Sequence, residues 1–288
     1  MCENDDFNEF ARRSGDVSRR DFGAITIGSS IAFMLPRLAD AAEVKESDVE
    51  IKTPDGTCDA HFAHPASGKA PAVLVWPDIF GLRPAFKEMG KRLAESGYAV
   101  LTINPFYRIK KAPTAPGTDF SDPAIRKALT DQMGSLSPQT AETDAKAFVT
   151  WLDGQAAVDK KKKMGTTGYC MGGPFVMRTA AAFPARVGAG CTFHGGGLVT
   201  DKPDSPHLLI PKMKAQYLIA IAESDDKQQP TAKDVLKESF DKAKLHATVE
   251  VFPGTQHGWC PPDARVYNHD SAEKAWGEMI TLFKSALV

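Results

Sequence analysis

The chain has 288 residues, and its 35 lysines and arginines nearly balance its 36 aspartates and glutamates. This near-neutral charge argues against nucleic acid or an anionic membrane surface as the main partner, because both select a strong basic excess. The length fits one α/β domain of roughly 240 residues after removal of a leader.

The N-terminus is predicted to be an export signal. Residues 18–22 read Ser-Arg-Arg-Asp-Phe, an apolar run follows at 23–35, and small residues at 39–42 suit a signal peptidase. The pattern resembles a twin-arginine signal, so we expect export by the twin-arginine machinery, cleavage near Ala41 or Ala42, and a periplasmic location in a bacterium. The apolar run is too short to span a bilayer of about 30 Å, which disfavours a stable membrane anchor. A disordered basic leader on a cytosolic enzyme is the alternative.

Helices and strands are predicted to alternate in the remaining segment, 43–288, which we expect to be a single domain. A Pro-Asp-Gly turn at 54–56 joins two strands into a hairpin, and continuous apolar runs are typical of buried parallel strands. The predicted strands are 49–53, 58–64, 72–76, 98–104, 163–167, 188–193, 216–222 and 247–252. The predicted helices are 85–96, 123–133, 138–152, 173–183, 231–243 and 271–287. This alternation indicates an α/β fold.

A nucleophile is predicted at Cys170. Residues 168–172 read Gly-Tyr-Cys-Met-Gly between a predicted strand and an alanine-rich helix, which is the spacing of the G-x-S-x-G nucleophile elbow. Glycines on both sides let the backbone pack closely around a strained turn. The N-terminus of the helix that follows favours the thiolate. An inert core thiol is the alternative.

Two partners for this thiol follow in the order nucleophile, acid, histidine that α/β-hydrolases use. Asp225 comes after one predicted strand, and His257 lies in the loop after the next. As a base, His257 would raise the thiolate fraction of Cys170, and Asp225 would fix the tautomer of the imidazole. Asp226 could replace its neighbour, and a turn or capping role for the aspartate also stays open.

Other cysteines and histidines have simpler interpretations. Cys191 lies in a predicted strand and is expected to be a buried core thiol. Cys260 follows His257 by three residues, and a Cys170–Cys260 disulfide would abolish the proposed nucleophile. His194, followed by three glycines, is expected to form a tight turn lining the cleft.

Four separated motifs together resemble the dienelactone hydrolase family: Asp-Ile-Phe-Gly at 78–81, the elbow of Cys170, Asp225 and His257. The similarity runs from about residue 49 to the C-terminus. It implies an α/β-hydrolase fold with a mostly parallel sheet of about eight strands flanked by helices. It also implies hydrolysis of a small-molecule ester or lactone through an acyl-enzyme, without a metal, nucleotide or organic cofactor.

The resemblance further implies an oxyanion hole and a partner for the resting thiol. The backbone N–H groups of Ile79 and Met171 would bind the oxyanion. Asp78 stands where family members often carry a glutamate that holds the resting cysteine, and its side chain is one methylene shorter. A turn or helix-capping role for Asp78 is the alternative.

Substrate contacts are expected from Tyr107 and Arg108, which resemble a stretch where a family arginine pairs with a substrate carboxylate, and from Trp259 beside the histidine. An exposed surface position is the alternative for Arg108. A second family arginine is missing at 258–261, so a preference for acidic lactones is not implied.

Two other functions are compatible with the same residues. One is a thioesterase or acyltransferase that uses the same triad. The other is a non-catalytic periplasmic binding protein that keeps the fold.

Overall fold

One eight-stranded sheet organises the computed structural model, which describes residues 42–117 and 119–288. The strands are β1 Val44–Thr53, β2 Gly56–Pro65, β3 Ala72–Trp76, β4 Ala99–Ile103, β5 Met164–Tyr169, β6 Val187–Phe193, β7 Gln216–Ala222 and β8 Ala247–Phe252. Their spatial order is β1-β2-β4-β3-β5-β6-β7-β8. β2 pairs antiparallel with β1 and β4, and the strands from β4 to β8 run parallel. The predicted mostly parallel sheet is confirmed.

Helices cover both faces of the sheet. They are α1 Pro84–Glu95, α2 Pro123–Met133, α3 Pro138–Asp153, α4 Gly172–Ala182, α5 Glu223–Gln228, α6 Ala232–Lys242 and α7 His269–Ala286, with a short 3-10 helix at Pro206–Lys212. Buried side chains of α1 and α7 pack with Val73 and Val75 of β3 on one face. Those of α3, α4 and α6 pack on the other face with Leu74 and Trp76. Because successive side chains of β3 point to opposite faces of the sheet, this strand contributes to the hydrophobic core on both faces.

The central strand β5 is buried at every residue although it carries two threonines and two glycines. Small residues are needed there because helices approach closely on both faces. A Cβ atom at Gly165 would lie 3.0 Å from the ring of Phe283 in α7, and one at Gly168 would lie 2.3 Å from the carbonyl oxygen of Gly172. Close packing therefore explains why this strand lacks an apolar pattern.

The predicted export signal at 1–42 lies outside the described residues except for Ala42, whose amide donates to the carbonyl oxygen of Glu95 at 3.1 Å. Within 42–117 and 119–288, no helix is both long enough and apolar enough to cross a bilayer.

Candidate active site

The turn at Cys170 has the strained geometry that the motif predicts. Cys170 has a φ of 53°, in the left-handed region that residues other than glycine rarely adopt. The two flanking glycines leave room for this turn: a Cβ atom at Gly172 would lie 2.3 Å from the carbonyl oxygen of Trp76 at the end of β3. Larger residues at these positions would push β5, α4 and the end of β3 apart.

The backbone of Cys170 is fixed by the end of β6. Its amide donates to the carbonyl oxygen of Phe193 at 3.1 Å. Its own carbonyl oxygen accepts from the amides of Gly173, at 3.1 Å, and Gly196, at 3.2 Å. The predicted nucleophile is therefore held by hydrogen bonds from two different elements.

The surroundings of the Cys170 thiol are apolar. The residue is 5% exposed and belongs to a small cluster that the loop after β4 and helix α2 help to build. The other buried members are Ile79, Phe106, Phe120, Leu129 and Met171. A substrate acyl group at the thiol would therefore meet mainly hydrocarbon.

His257 is bound between a carboxylate and the thiol. Its Nδ1 lies 2.9 Å and 3.1 Å from the two oxygens of Asp225. Because an ionised carboxylate only accepts hydrogen bonds, Nδ1 carries a proton, and the imidazole interacts electrostatically with Cys170 as well. Asp226 instead binds Nζ of Lys233 at 2.6 and 2.8 Å, so the geometry selects Asp225.

The electrostatic environment favours the protonated form of His257. Burial alone would lower the pKa of His257, but the interactions of the imidazole with Asp225 and Cys170 raise this pKa well above its usual value. An imidazolium next to a thiolate is the charge distribution that a cysteine nucleophile requires.

The loops that carry the acid and the histidine are joined by hydrogen bonds. Asp225 lies in α5, directly after β7, and His257 lies in the loop after β8. The amide of His257 donates to Oγ of Ser224 at 2.9 Å, and the amide of Ser224 donates to the carbonyl oxygen of Thr255 at 3.2 Å. These bonds fix the distance between the imidazole and its carboxylate.

Ile79 and Met171, the two residues expected to form an oxyanion hole, lie in the same buried cluster as Cys170. Ile79 follows β3, Met171 immediately precedes α4, and each is 4% exposed. Within residues 42–117 and 119–288, neither of these two backbone amides donates a hydrogen bond to another backbone group or to a side chain. Since nearly all buried backbone amides are hydrogen-bonded, two free ones next to the thiol are suited to bind an anion.

Asp78 is bound to Arg83 and not to the Cys170 thiol, which corrects the expectation for this residue. The guanidinium of Arg83 donates to both carboxylate oxygens of Asp78, at 2.6 and 3.0 Å. The Asp78 carboxylate also accepts from the amide of Phe80 at 2.9 Å, as in an Asx turn. A nearby guanidinium is a much better partner for a buried carboxylate than a neutral thiol, and the short side chain keeps to its own turn.

Arg83 also reaches the loop that follows His257. It donates to the carboxylate of Asp263 at 2.7 and 3.0 Å. The three side chains of Asp78, Arg83 and Asp263 are 7%, 9% and 16% exposed. We call this group the arginine clamp, because it links the loop of the candidate oxyanion hole to the histidine loop.

Tyr107 and Arg108 do not reach the predicted triad. The Tyr107 hydroxyl donates to Asp144 at 2.7 Å and lies 2.8 Å from the hydroxyl of Thr53. Arg108 donates to the carboxylates of Asp144 and Asp55 at 2.6 to 3.1 Å. Both side chains are thus engaged in joining the β1–β2 turn to α3, which argues against the expected substrate contacts.

Trp259 is fully buried, which likewise argues against substrate contact. Its ring stacks on Phe252 with centroids 4.8 Å apart, and His194 lies on it at 6.3 Å. Trp259 therefore packs the core beneath the histidine loop.

The cysteines of the described residues are all buried and free. Cys170 and Cys260 are therefore not joined by a disulfide, and Cys191 is the core thiol that the sequence predicts. Among residues 42–117 and 119–288, no three histidine, cysteine or acidic side chains are grouped as a metal site would need.

Sequence reasoning missed two features of the site. The ring of His194 lies 5.1 Å from that of His257, edge to face. Its place at the C-terminal end of β6, between the strands that precede Cys170 and Asp225, is a signal that could have indicated this. The arginine clamp has no local signal, because Arg83 and Asp263 are far apart in the sequence.

Comparisons with known proteins show similarity to one family of hydrolases. A family model described as the dienelactone hydrolase family matches residues 58–287. A protein named "Putative carboxymethylenebutenolidase" from Methylorubrum extorquens is 26% identical over 280 residues, which is 93% of each chain. The carboxymethylenebutenolidase of Rhodococcus opacus is 33% identical over 140 residues, covering 48% of this chain and 50% of that protein. A crystal structure titled "Putative Dienelactone Hydrolase" from Klebsiella pneumoniae has the same fold, with a TM-score of 0.72, 20% identity, and coverage of 84% and 99%.

Proposed function

The chain belongs to the dienelactone hydrolase family, and we propose that this hydrolase cleaves an ester or lactone with Cys170 as nucleophile, His257 as base and Asp225 as the group that orients it. The observation that carries the proposal is the position of His257, which is hydrogen-bonded to the carboxylate of Asp225 and interacts with Cys170. The apolar cluster around Cys170 supports an acyl substrate without charge near its carbonyl group.

In the first half of the proposed reaction, His257 already holds the proton of the thiol as an imidazolium, and the thiolate sulfur of Cys170 attacks the carbonyl carbon. The carbonyl oxygen becomes an oxyanion that the amides of Ile79 and Met171 bind, each amide contributing about 3 kcal/mol to stabilising the transition state. The C–O bond then breaks, and the imidazolium gives its proton to the leaving alkoxide. In a lactone the new hydroxyl group stays on the acyl chain.

In the second half, water attacks the thioester of the acyl-enzyme while His257 accepts one of its protons. The tetrahedral intermediate collapses, the C–S bond breaks, and the carboxylic acid leaves. The sulfur departs as a thiolate beside the protonated imidazole, which restores the starting pair. Asp225 keeps Nδ1 protonated throughout, so the other nitrogen handles every proton transfer.

Hydrolysis of a short panel tests the proposal: p-nitrophenyl acetate, a dienelactone and an acyl thioester, with and without an amine acceptor. Wild type is expected to release acid from an ester or the lactone, and Cys170→Ala is expected to be inactive. Cys191→Ala is the matched control, because it removes a buried thiol outside the site. Equal activity of Cys170→Ala and wild type would refute the mechanism, and preferred turnover of the thioester or transfer to the amine would assign thioesterase or acyltransferase activity instead.

We also propose that the protein is exported to the periplasm by the twin-arginine machinery, as residues 18–42 suggest. Replacing Arg19 and Arg20 by lysine should leave the precursor in the cytoplasm of the host. Unchanged export of that variant would contradict the proposal.

A further inference from the structure

Two energetically unfavourable features, one of the backbone and one of the side chain, occur together in His194 at the edge of the candidate site. It has a φ of 40°, in the left-handed region, although it is not a glycine. Its imidazole is 1% exposed, and within the described part of the chain neither ring nitrogen has a hydrogen-bond partner. Buried unpartnered polar groups are rare in native proteins, and strained residues gather at functional sites. A role beyond a lining turn is therefore indicated.

The turn that carries His194 contacts the backbone of both neighbouring strands. The amide of His194 donates to the carbonyl oxygen of Ala220 in β7 at 2.8 Å, two residues before that strand ends and leads into the helix of Asp225. The residues around it, Phe193 and Gly196, hold the backbone of Cys170 on the other side. The position of the His194 side chain is thus set by the same elements that set the nucleophile and the acid.

The ring of His194 packs on the ring of His257. Their centroids are 5.1 Å apart and the ring planes are 73° apart, which is a T-shaped contact. Trp259 and Tyr169 lie around the same imidazole, at 6.3 and 6.1 Å. His194 is therefore wedged between the aromatic core and the candidate base.

The charge states of the two imidazoles differ. Burial, with a smaller effect from the positive charge of His257, lowers the pKa of His194 well below its usual value. His194 is thus neutral while His257 holds a proton, and it adds no repulsion to the imidazolium.

We propose that His194 is a positioning residue: its neutral ring packs against His257 and stops that imidazole from pivoting about its bond to Asp225. The proposal rests on the proposed function, because it takes Cys170 and His257 as the reacting pair. The hydrogen bonds to Asp225 hold Nδ1 in place but do not by themselves set the plane of the ring, and the T-shaped contact restrains that plane. Misplacing a reacting group by about an ångström can cost on the order of a hundredfold in rate.

Three variants test this positioning role. His194→Asn removes the ring and suits the left-handed backbone, since asparagine adopts this region readily. His194→Phe keeps a flat ring and removes both nitrogens. His61→Asn is the matched control, because His61 is also a buried histidine but is bonded to Asp48 and Glu46 on the β1–β2 hairpin.

Two readouts are needed: kcat and KM for the best ester of the panel, and the rate at which iodoacetamide alkylates Cys170, followed by peptide mass mapping. We expect His194→Asn to lose about tenfold or more in kcat with KM changed less than about twofold, and to slow alkylation at pH 6 by a similar factor. His194→Phe should restore most of both rates. His61→Asn should alter thermal stability alone.

Several outcomes would overturn the proposal. Wild-type kcat and alkylation in folded His194→Asn would show that the ring restrains nothing, and equal losses in the asparagine and phenylalanine variants would assign the effect to the nitrogens instead. Should His194→Asn fail to fold, His194→Leu makes the same comparison with the phenylalanine variant. Alkylation of Cys170 requires no substrate. If the wild-type protein had no esterase activity, the proposed function would be refuted, but the alkylation rates would still test the positioning of His257.

Discussion

Replacing Arg83 by methionine should destabilise the protein strongly, because it would leave the buried Asp78 carboxylate without a counter-charge. In the arginine clamp, Arg83 donates four hydrogen bonds to two carboxylates at 2.6 to 3.0 Å. The guanidinium carbon of Arg83 lies 4.8 Å from the centroid of the Phe86 ring, and methionine keeps an apolar side chain of similar length next to that ring. The change therefore removes the charge and the hydrogen bonds with little loss of packing.

The magnitude follows from burial. Breaking a buried ion pair by removing one partner costs about 3 to 5 kcal/mol of unfolding free energy. Asp263→Asn should cost less, about 1 to 3 kcal/mol, because Arg83 and Asp78 stay paired. kcat should fall in Arg83→Met as well, since Asp78 directly precedes Ile79, whose amide is proposed to bind the oxyanion.

Denaturant unfolding monitored by circular dichroism measures these losses. The control is Arg186→Met, because Arg186 also binds an aspartate, Asp153, at 2.8 Å, but this carboxylate is 34% exposed. We expect that control to lose only about 0 to 1 kcal/mol. If Arg83→Met were no less stable than Arg186→Met, the reasoning about the clamp would be wrong.

Three further changes test the site. Gly172→Ala should abolish folding or the elbow, because its Cβ atom would lie 2.3 Å from the carbonyl oxygen of Trp76; a soluble variant with the wild-type melting temperature would contradict this. Asp225→Asn should lower kcat by about 100-fold or more while Asp226→Asn does not, and equal kcat values would refute the assignment of the acid. The pKa of His257 is raised on folding, so the stabilisation from its protonation should be complete below its unfolded pKa of about 6.5. This stabilisation should be lost as the pH rises through the folded pKa. The free energy of unfolding, measured from pH 6 upward, should therefore fall less in His257→Gln than in wild type.

Most of the fold was predictable because its signals are local. Apolar runs separated by glycine and proline gave the parallel strands other than β5, and the helices began and ended close to the predicted residues. β1 starts at Val44 and not at residue 49, because this edge strand is largely exposed and its charged half carries no apolar alternation. Helix α5 was missed because six polar residues are too few to show a helical period.

The site was predictable only where strand order brings motifs together. Cys170, Asp225 and His257 follow strands whose carboxyl ends meet at one edge of the sheet, so their proximity follows from topology. The partners of Asp78 and Arg108 depend on which charged side chains the finished fold brings close, and nothing in a local stretch reveals that. For these two residues, oppositely charged side chains that the tertiary structure brings close took the place of the contacts expected from the family pattern.

We expect the nucleophile to reach its position late in folding, because the strand that leads to it lies at the centre of the sheet. Val73 of β3 pairs with Gly165 of β5 only after the chain between them, which includes β4 and helices α1 to α3, has closed into a long loop. Such non-local pairing is slow compared with helix formation. Until it is complete, the four thiols of the described residues are accessible to oxidants, although all four are buried in the finished fold. Refolding this protein therefore calls for reducing conditions, even though its native structure uses no disulfide among these cysteines.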